Sequence, residues 1–414
     1  MLLGRALVAL VPLSLAVVDP GGLAPFGPVK WALLTGATLA LAAVVLRRRI
    51  TVARRPAQMW MAFLAIVVVA ALFGADPLYA WTGTPERHFG ALTWLLCALL
   101  FVVGQNLDDR TAVDRRSPAP TLLTATAVAG AVIGVWSVAE LLGWKPVALA
   151  GTAGRVVGPL GSSAYLGAAV VLVGPIAVVR WRWLAPVLVV VLAATGARAA
   201  WVGALVAFAV VAATRRRLIR LAAAFALGLV ALIFVTGTAD RVAKVFTDED
   251  GGGRGRLDEW RVAARVVAAH PLLGVGPEGY RIVFHERVDA AYDKAHGRDP
   301  LPDRAHNAIL DVATTTGVLG ALAYVALLFA AGAIVVAALR RGDATDAAIA
   351  VGLLAYGAQL LFLFPLAELD PLAWLLLGVL ATRMRPTNGG TGTNRDTIDV
   401  NVPSALPMVA AVLT

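Results

Sequence analysis

The sequence predicts an all-α polytopic membrane protein. Three observations lead there: the apolar composition, a series of apolar runs of membrane-crossing length, and basic residues that alternate between the connections. Of 414 residues, 59% are hydrophobic and 15% charged, with a mean hydropathy of +0.78; a soluble domain is about half apolar and a quarter charged. That balance excludes a soluble globular protein. Cys97 is the single cysteine, which excludes a disulfide framework and a cysteine-built metal or redox site.

The first run, residues 2–18, carries only Arg5, and no small-x-small site precedes the Asp19-Pro20-Gly21-Gly22 turn, so it reads as a span rather than a cleaved leader. Further runs lie at 29–46, 57–74, 88–104, 121–142, 165–179, 183–196, 200–214, 218–236, 307–339, 346–364 and 370–382. A bilayer takes about 20 apolar residues per helix, so these are read as about twelve spans. On one side the connections hold Arg5, Arg47, Arg48, Arg49, Arg54, Arg55, Arg110, Arg115, Arg116, Arg180, Arg182, Arg215, Arg216, Arg217, Arg220, Arg340, Arg341, Arg383, Arg385 and Arg395. The short connections of the other side hold only Lys30, Arg87, Lys145, Arg155 and Arg198. The positive-inside rule then puts both termini in the cytoplasm.

The domain organisation follows. Residues 1–236 hold spans one to nine, 237–305 form an extracytoplasmic loop or lid, 306–385 hold the last three spans, and the polar tail 386–414 is expected to lack fixed structure, although 405–413 turn apolar again. The loop's 69 residues balance 11 basic against 12 acidic side chains. It is therefore a small folded element rather than a polyanion patch, and nucleic acid is not an expected partner. No internal repeat is visible, which disfavours the inverted-repeat architecture of many transporters.

Within the loop, 256–269 (RLDEWRVAARVVAA) reads as an amphipathic helix with Leu257, Trp260, Ala264 and Val267 as its apolar stripe, lying against the membrane or the bundle. Trp260 is one turn from Arg256 and can stack on its guanidinium. The helix ends at His270-Pro271, and Gly274-Val275-Gly276-Pro277 forces a turn where backbone passes closely. Arg304-Ala305-His306-Asn307 then lead into the tenth span, which Asn307 or Asp303 can cap.

The ordered set of these pieces resembles the O-antigen ligase and O-antigen polymerase superfamily of membrane glycosyltransferases. The pieces are Gly255-Arg256-Leu257 with Trp260, His270 through Pro277, His306-Asn307 with Leu310, and Gly317-Val318-Leu319-Gly320. Upstream, Arg155-Val156-Val157-Gly158 and Thr195-Gly196-Ala197-Arg198 are similar too. Departures are Gly161-Ser162-Ser163-Ala164-Tyr165 in place of an Asn-Pro-Asn type turn, Glu278 in place of glycine, and Thr316 in place of an acidic residue.

The resemblance implies an enzyme of the GT-C type in a bacterial plasma (inner) membrane, with an extracytoplasmic active site. Its reaction would move a glycan from a polyprenyl (undecaprenyl-type) diphosphate donor to a hydroxyl of a glycan, glycolipid or protein acceptor, at the outer side of the membrane, with inversion and with no metal or other cofactor. The residue types suit that chemistry. A departing lipid diphosphate gathers negative charge where water is scarce, and arginine stays charged and bonds phosphate oxygens in bidentate fashion. Arg198, Arg256, Arg155 and Arg304 are the candidate diphosphate ligands. The acceptor hydroxyl needs a base, and an imidazole beside guanidinium groups is favoured in its neutral, proton-accepting form, which makes His306 the catalytic candidate. Trp260, Gly274, Gly276 and Asn307 are positioning candidates.

Plainer readings stand beside these: Arg198 as a snorkelling anchor, Arg256 as a helix-start residue paired with Glu259 or Trp260, and His306 as a residue leading into its helix. Arg261 and Arg265 read as solvated surface, His270 as a helix terminator, and His88, His285 and His296 have no partner spacing. Asp248-Glu249-Asp250 and Glu368-Leu369-Asp370 are the carboxylate groups a divalent ion would take, but no histidine spacing completes a transition-metal site. Rival functions are a polysaccharide polymerase, a protein O-oligosaccharyltransferase and, more remotely, a lipid-linked glycan transporter. A transporter would need ionisable groups inside the spans, where Glu140 is almost the only acid.

Overall fold

The computed structural model of the chain describes residues 2–46, 50–107, 118–147, 155–214, 227–228, 254–297, 302–384 and 397–400. The ninth expected span, 218–236, lies outside the described residues except at 227 and 228, as do the acidic run 248–250 and most of the tail.

The described residues are helical almost throughout. The elements are α1 (Leu2–Leu13), α2 (Gly27–Leu46), α3 (Arg54–Leu72), α4 (Tyr79–Thr82), α5 (Ala91–Gln105), α6 (Ala119–Leu141), α7 (Ser163–Arg180), α8 (Leu184–Ala194), α9 (Arg198–Thr214), α10 (Arg254–Ala269), α11 (Tyr280–Val283), α12 (Ala290–His296), α13 (Ala308–Arg341), α14 (Ala344–Gln359) and α15 (Asp370–Arg383). Helices thus stand at every expected span that the described residues cover. Among the described residues six stretches are long and apolar enough to cross a membrane: Gly27–Val45, Arg54–Leu72, Ala119–Leu141, Ser163–Arg180, Ala308–Arg341 and Ala344–Phe362. Their composition makes them helical in lipid, where every backbone group must bond within its own segment. Met61, Leu322 and Phe329 point outward and are exposed, which suits a surface that faces lipid rather than water.

Small residues let the helices approach closely. On the crossing of α5 with α15, a Cβ at Gly104 would lie 2.3 Å from the Leu375 carbonyl oxygen, and one at Gly378 2.3 Å from that of Phe101. Beside that crossing, rings from α3, α5, α13 and α15 interlock edge to face, Trp60 with Trp374 at 4.6 Å and Phe63 with Trp94 at 4.9 Å.

Three expectations are corrected. The expected amphipathic helix forms as α10, but its buried face is Val262, Ala263 and Val266, while Leu257 and Ala264 are exposed. The reason is a second core: that face meets Tyr280, Val283, Phe284, Tyr292 and Ala305, so the loop buries apolar surface against itself. The expected tenth span is a helix interrupted at Gly317, whose φ of 70° and ψ of −173° leave the α region. In the tail, Thr397–Val400 form a strand (β2) antiparallel to Ile50–Ala53 (β1), with Ile50 opposite Val400. Alternating β-branched residues on both segments favour that pairing.

Candidate functional site

The site gathers at the end of the bundle where α5, α9, α13 and α15 begin. Its floor is the segment between α14 and α15, where the chain leaves the helix through a short 3-10 turn, Leu360–Phe362. This segment is pinned from below, because Asp370 Oδ2 accepts hydrogen bonds from the Leu366 amide and the Tyr356 hydroxyl, both at 2.6 Å. Its upper surface offers carbonyls and rings. Phe362 O accepts from Arg256 Nη1 at 3.0 Å, and Leu361 O from Asn307 Nδ2 at 2.9 Å. The Phe362 ring lies 6.3 Å from Trp260, and Phe364 meets His306 edge-on at 5.3 Å.

Asn307 fixes the start of α13. Its Oδ1 accepts from the amides of Ile309 (3.0 Å) and Leu310 (3.1 Å) as an N-cap. The residue before it, His306, is therefore forced into left-handed backbone, with φ 49°. Its Nδ1 lies 3.3 Å from Glu259 Oε2 on α10. Arg198 opens α9 directly after a turn in which Gly196 has φ 61° and Thr195 Oγ1 accepts from the Ala197 amide at 3.1 Å. Arg198 and Arg256 are close enough for their charges to act on each other. Burial pulls the Arg256 guanidinium below its ordinary proton affinity; Glu259 opposes this, and the positive charge of Arg198 adds to it. Arg198, Arg256, Glu259 and His306, from three separate elements, thus form one cluster of charged and ionisable groups, and Trp260, on the same helix as Arg256 and Glu259, packs beside Phe362.

The other expected arginines stand elsewhere. Arg155 is exposed, and no hydrogen bond or ion pair joins it to the cluster among the described residues. Its neighbours are anchored instead, since the amides of Val157 (3.1 Å) and Gly158 (2.7 Å) donate to Glu140, which accounts for that acid at the end of α6. Arg304 is buried and ion-paired with Glu278 and, at 3.2 Å, with Asp311, and it lies 5.9 Å from the Phe89 ring. Burial disfavours its charge, but Asp311, Glu278 and Asp303 together hold its proton affinity above the ordinary value. Glu278 adopts φ 62°, the backbone a glycine takes, and its ion pair with Arg304 supports that conformation.

Gly274 and Gly276 position the loop through their backbone. A Cβ at Gly276 (φ 81°) would lie 2.4 Å from Gly74 Cα, and one at Gly274 (φ 62°) 2.4 Å from the Thr314 carbonyl oxygen. The turn wedges between the end of α3 and the break in α13. Ala75 donates to Val275 O, Val275 donates to Thr314 O, and Val318 donates to Pro271 O, each at 2.8 Å. Interrupting α13 at Gly317 frees the Thr314 carbonyl and the Val318 amide, and the loop takes both.

Sequence reasoning missed two residues here. Glu259 was visible only as a neighbour of Arg256 three residues away; its contact with His306 spans most of the loop. Arg87 grips Asp303 through two contacts, Nε to Oδ2 at 2.5 Å and Nη2 to Oδ1 at 3.1 Å, donates to the Tyr165 hydroxyl, and lies 4.8 Å from the Phe364 ring. Its place in an outward connection, where cations are disfavoured, was the available signal.

The fold is that of a polytopic, helical membrane protein, and at one end of its bundle two arginines and an imidazole are gathered. The family model described as O-antigen ligase matches residues 183–325, from the start of α8 into α13, and this supports the resemblance to O-antigen ligases and polymerases carried by the motifs. The match supports ligase- or polymerase-like activity of glycosyltransferase type, a lipid-linked glycan and an acceptor as partners, and a bacterial inner-membrane location. No curated protein matches the chain.

Proposed function

We propose that the chain is a ligase-type glycosyltransferase of the GT-C type with twelve spans and cytoplasmic termini, the 237–305 loop forming a lid over an extracytoplasmic site. It takes a glycan from a polyprenyl (undecaprenyl-type) diphosphate and transfers it to an acceptor hydroxyl with inversion. The observation that carries this reading is the convergence of Arg198 and Arg256 beside His306, three residues from separate elements within one cluster.

In this reading His306 takes the acceptor's hydroxyl proton as the acceptor oxygen bonds the anomeric carbon. The carbon–oxygen bond to phosphate breaks on the opposite face, and the lipid diphosphate leaves with the bonding pair. Arg198 and Arg256 meet that charge with bidentate donors in a site of low dielectric. Two fixed guanidinium groups already neutralise the leaving group, so the reading assigns no metal a part. Among the described residues no hydrogen bond or ion pair joins Arg155 to the cluster, and Arg304 is held by carboxylates, so neither is assigned to the diphosphate.

The test is transfer by the full chain in liposomes that contain undecaprenyl diphosphate-linked glycan extracted from native membranes, with binding of undecaprenyl diphosphate measured separately. His306→Ala is expected to slow transfer by about 10²- to 10⁴-fold and leave binding intact. Arg198→Ala is expected to weaken binding. Wild-type transfer by folded His306→Ala would refute the assignment. Product length on a gel separates the rivals: one addition for a ligase, a ladder for a polymerase.

A further inference from the structure

Glu259 has no part in that reaction, yet its carboxylate lies beside the imidazole. Its Oε2 and His306 Nδ1 are 3.3 Å apart, a charge-pair distance, both atoms are buried, and neither has a hydrogen-bond partner among the described residues. A buried carboxylate oxygen facing a buried ring nitrogen, each otherwise unsatisfied, costs free energy unless a proton lies between them. The geometry also constrains both partners. His306 is held by the Asn307 cap behind it and the Phe364 ring beside it. Glu259 sits on α10, whose other face is locked into the loop's own core, with Tyr280 reaching the Glu259 backbone carbonyl at 3.5 Å.

From this we infer that Glu259 is a positioning residue for the transfer reaction: its carboxylate accepts the Nδ1 proton of His306, fixes the ring orientation and tautomer, and leaves Nε2 as the lone pair that meets the acceptor hydroxyl. The inference rests on the reading of His306 as the base. During transfer the acceptor proton moves to Nε2, the ring becomes an imidazolium held by the Glu259 charge, and the proton passes to water once product leaves. Glu259 itself stays ionised. An orienting carboxylate behind an imidazole is worth much of the base's own contribution, because a misaligned or wrong-tautomer ring cannot accept the proton. The same acid also neighbours Arg256, so the alternative is that it serves the diphosphate side of the site, and the experiment must separate the two.

Steady-state transfer by Glu259→Gln and Glu259→Asp in the liposome assay does so. The expected result for Glu259→Gln is a kcat lower by about 10²-fold, a donor KM and undecaprenyl diphosphate affinity within about twofold of wild type, and an unchanged melting temperature. Glu259→Asp keeps the charge on a shorter arm and is expected to fall between the two. In the His306→Ala background, Glu259→Gln is expected to remove nothing further from kcat, since the two act as a unit. A raised donor KM with wild-type kcat would assign Glu259 to Arg256 and overturn the proposal, as would a wild-type kcat and KM in Glu259→Gln. Should Glu259→Gln melt early, Glu259→Asp decides alone: an intermediate kcat with wild-type KM supports the pairing, and wild-type kcat overturns it. Retained transfer by His306→Ala would instead strike the parent reading, a distinct outcome.

Discussion

Two charged clusters share this end of the molecule and differ in how their arginines are answered. Around Arg304, the acids Glu278 and Asp311 close on a guanidinium that solvent hardly reaches, and a ring covers it. Around Arg256 and His306, Glu259 acts on the guanidinium and lies beside the imidazole, Arg198 adds its positive charge, and the group remains partly open. The first arrangement answers one guanidinium with two carboxylates and holds the loop to the start of α13. The second brings two guanidinium groups within reach of each other's charge. Two arginines 48 residues apart in one loop thus stand in different surroundings.

Substitutions around Arg304 should act on folding, and those around Arg198 and Arg256 on transfer. The largest effect is expected from Arg304→Ala. It leaves Glu278 and Asp311 buried without their cation, and loss of one member of a buried ion pair costs about 3–5 kcal/mol, which thermal melting in detergent will read. A wild-type melting temperature would erase the distinction between the clusters. Arg198→Ala serves as the converse: undecaprenyl diphosphate binding falls while the melting temperature holds.

Gly317→Ala ranks next. A Cβ there would lie 2.3 Å from the Leu272 carbonyl carbon in backbone of φ 70°, and left-handed backbone alone costs a non-glycine residue about 1–2 kcal/mol. Melting and proteolysis of the loop should both respond. Asn307→Ala removes the cap of α13 and is expected to lower stability by about 1 kcal/mol, with a loss of kcat beyond that because His306 is no longer held. An unchanged kcat would mean that the cap does not position the base.

The smallest expected effect concerns pH. Burial pushes the Asp303 carboxyl up, but its hydrogen bond to Arg87 and the charges of Arg87 and Arg304 bring it below the usual carboxylate value. A carboxyl depressed in the folded state adds stability that is fully present above its unfolded value of about 4 and is lost as pH falls through the folded value. Melting temperatures below about pH 4 should therefore fall further for wild type than for Arg87→Met, and parallel curves would deny the Arg87–Asp303 contact a role.

Much of this organisation was legible in the sequence because membrane spans declare themselves by composition, and the loop motifs by glycine, proline and histidine at fixed order. Arg198, Arg256, His306, Trp260 and Asn307 were all named, and they converge. What could not be read was which partner each charge would meet. Arg304 looked like a phosphate ligand because nothing in Arg304-Ala305-His306-Asn307 announces that Glu278, far back in the loop, will turn inward to meet it. The stripe on α10 was misjudged for a related reason. Apolar residues occupy two sides of that helix, and periodicity cannot say which side finds a core of its own. The break at Gly317 was hidden by the apolar run that continues through it.

The wedge between α3 and α13 also bears on amide exchange with solvent deuterium. Val275 and Val318 each donate across the junction, to Thr314 and Pro271 respectively, so neither proton is released unless the turn and the interrupted helix separate together. Their exchange rates should rise and fall as a pair, mark the slowest-opening part of the outer layer, and report on the junction even when α10 is free to fray.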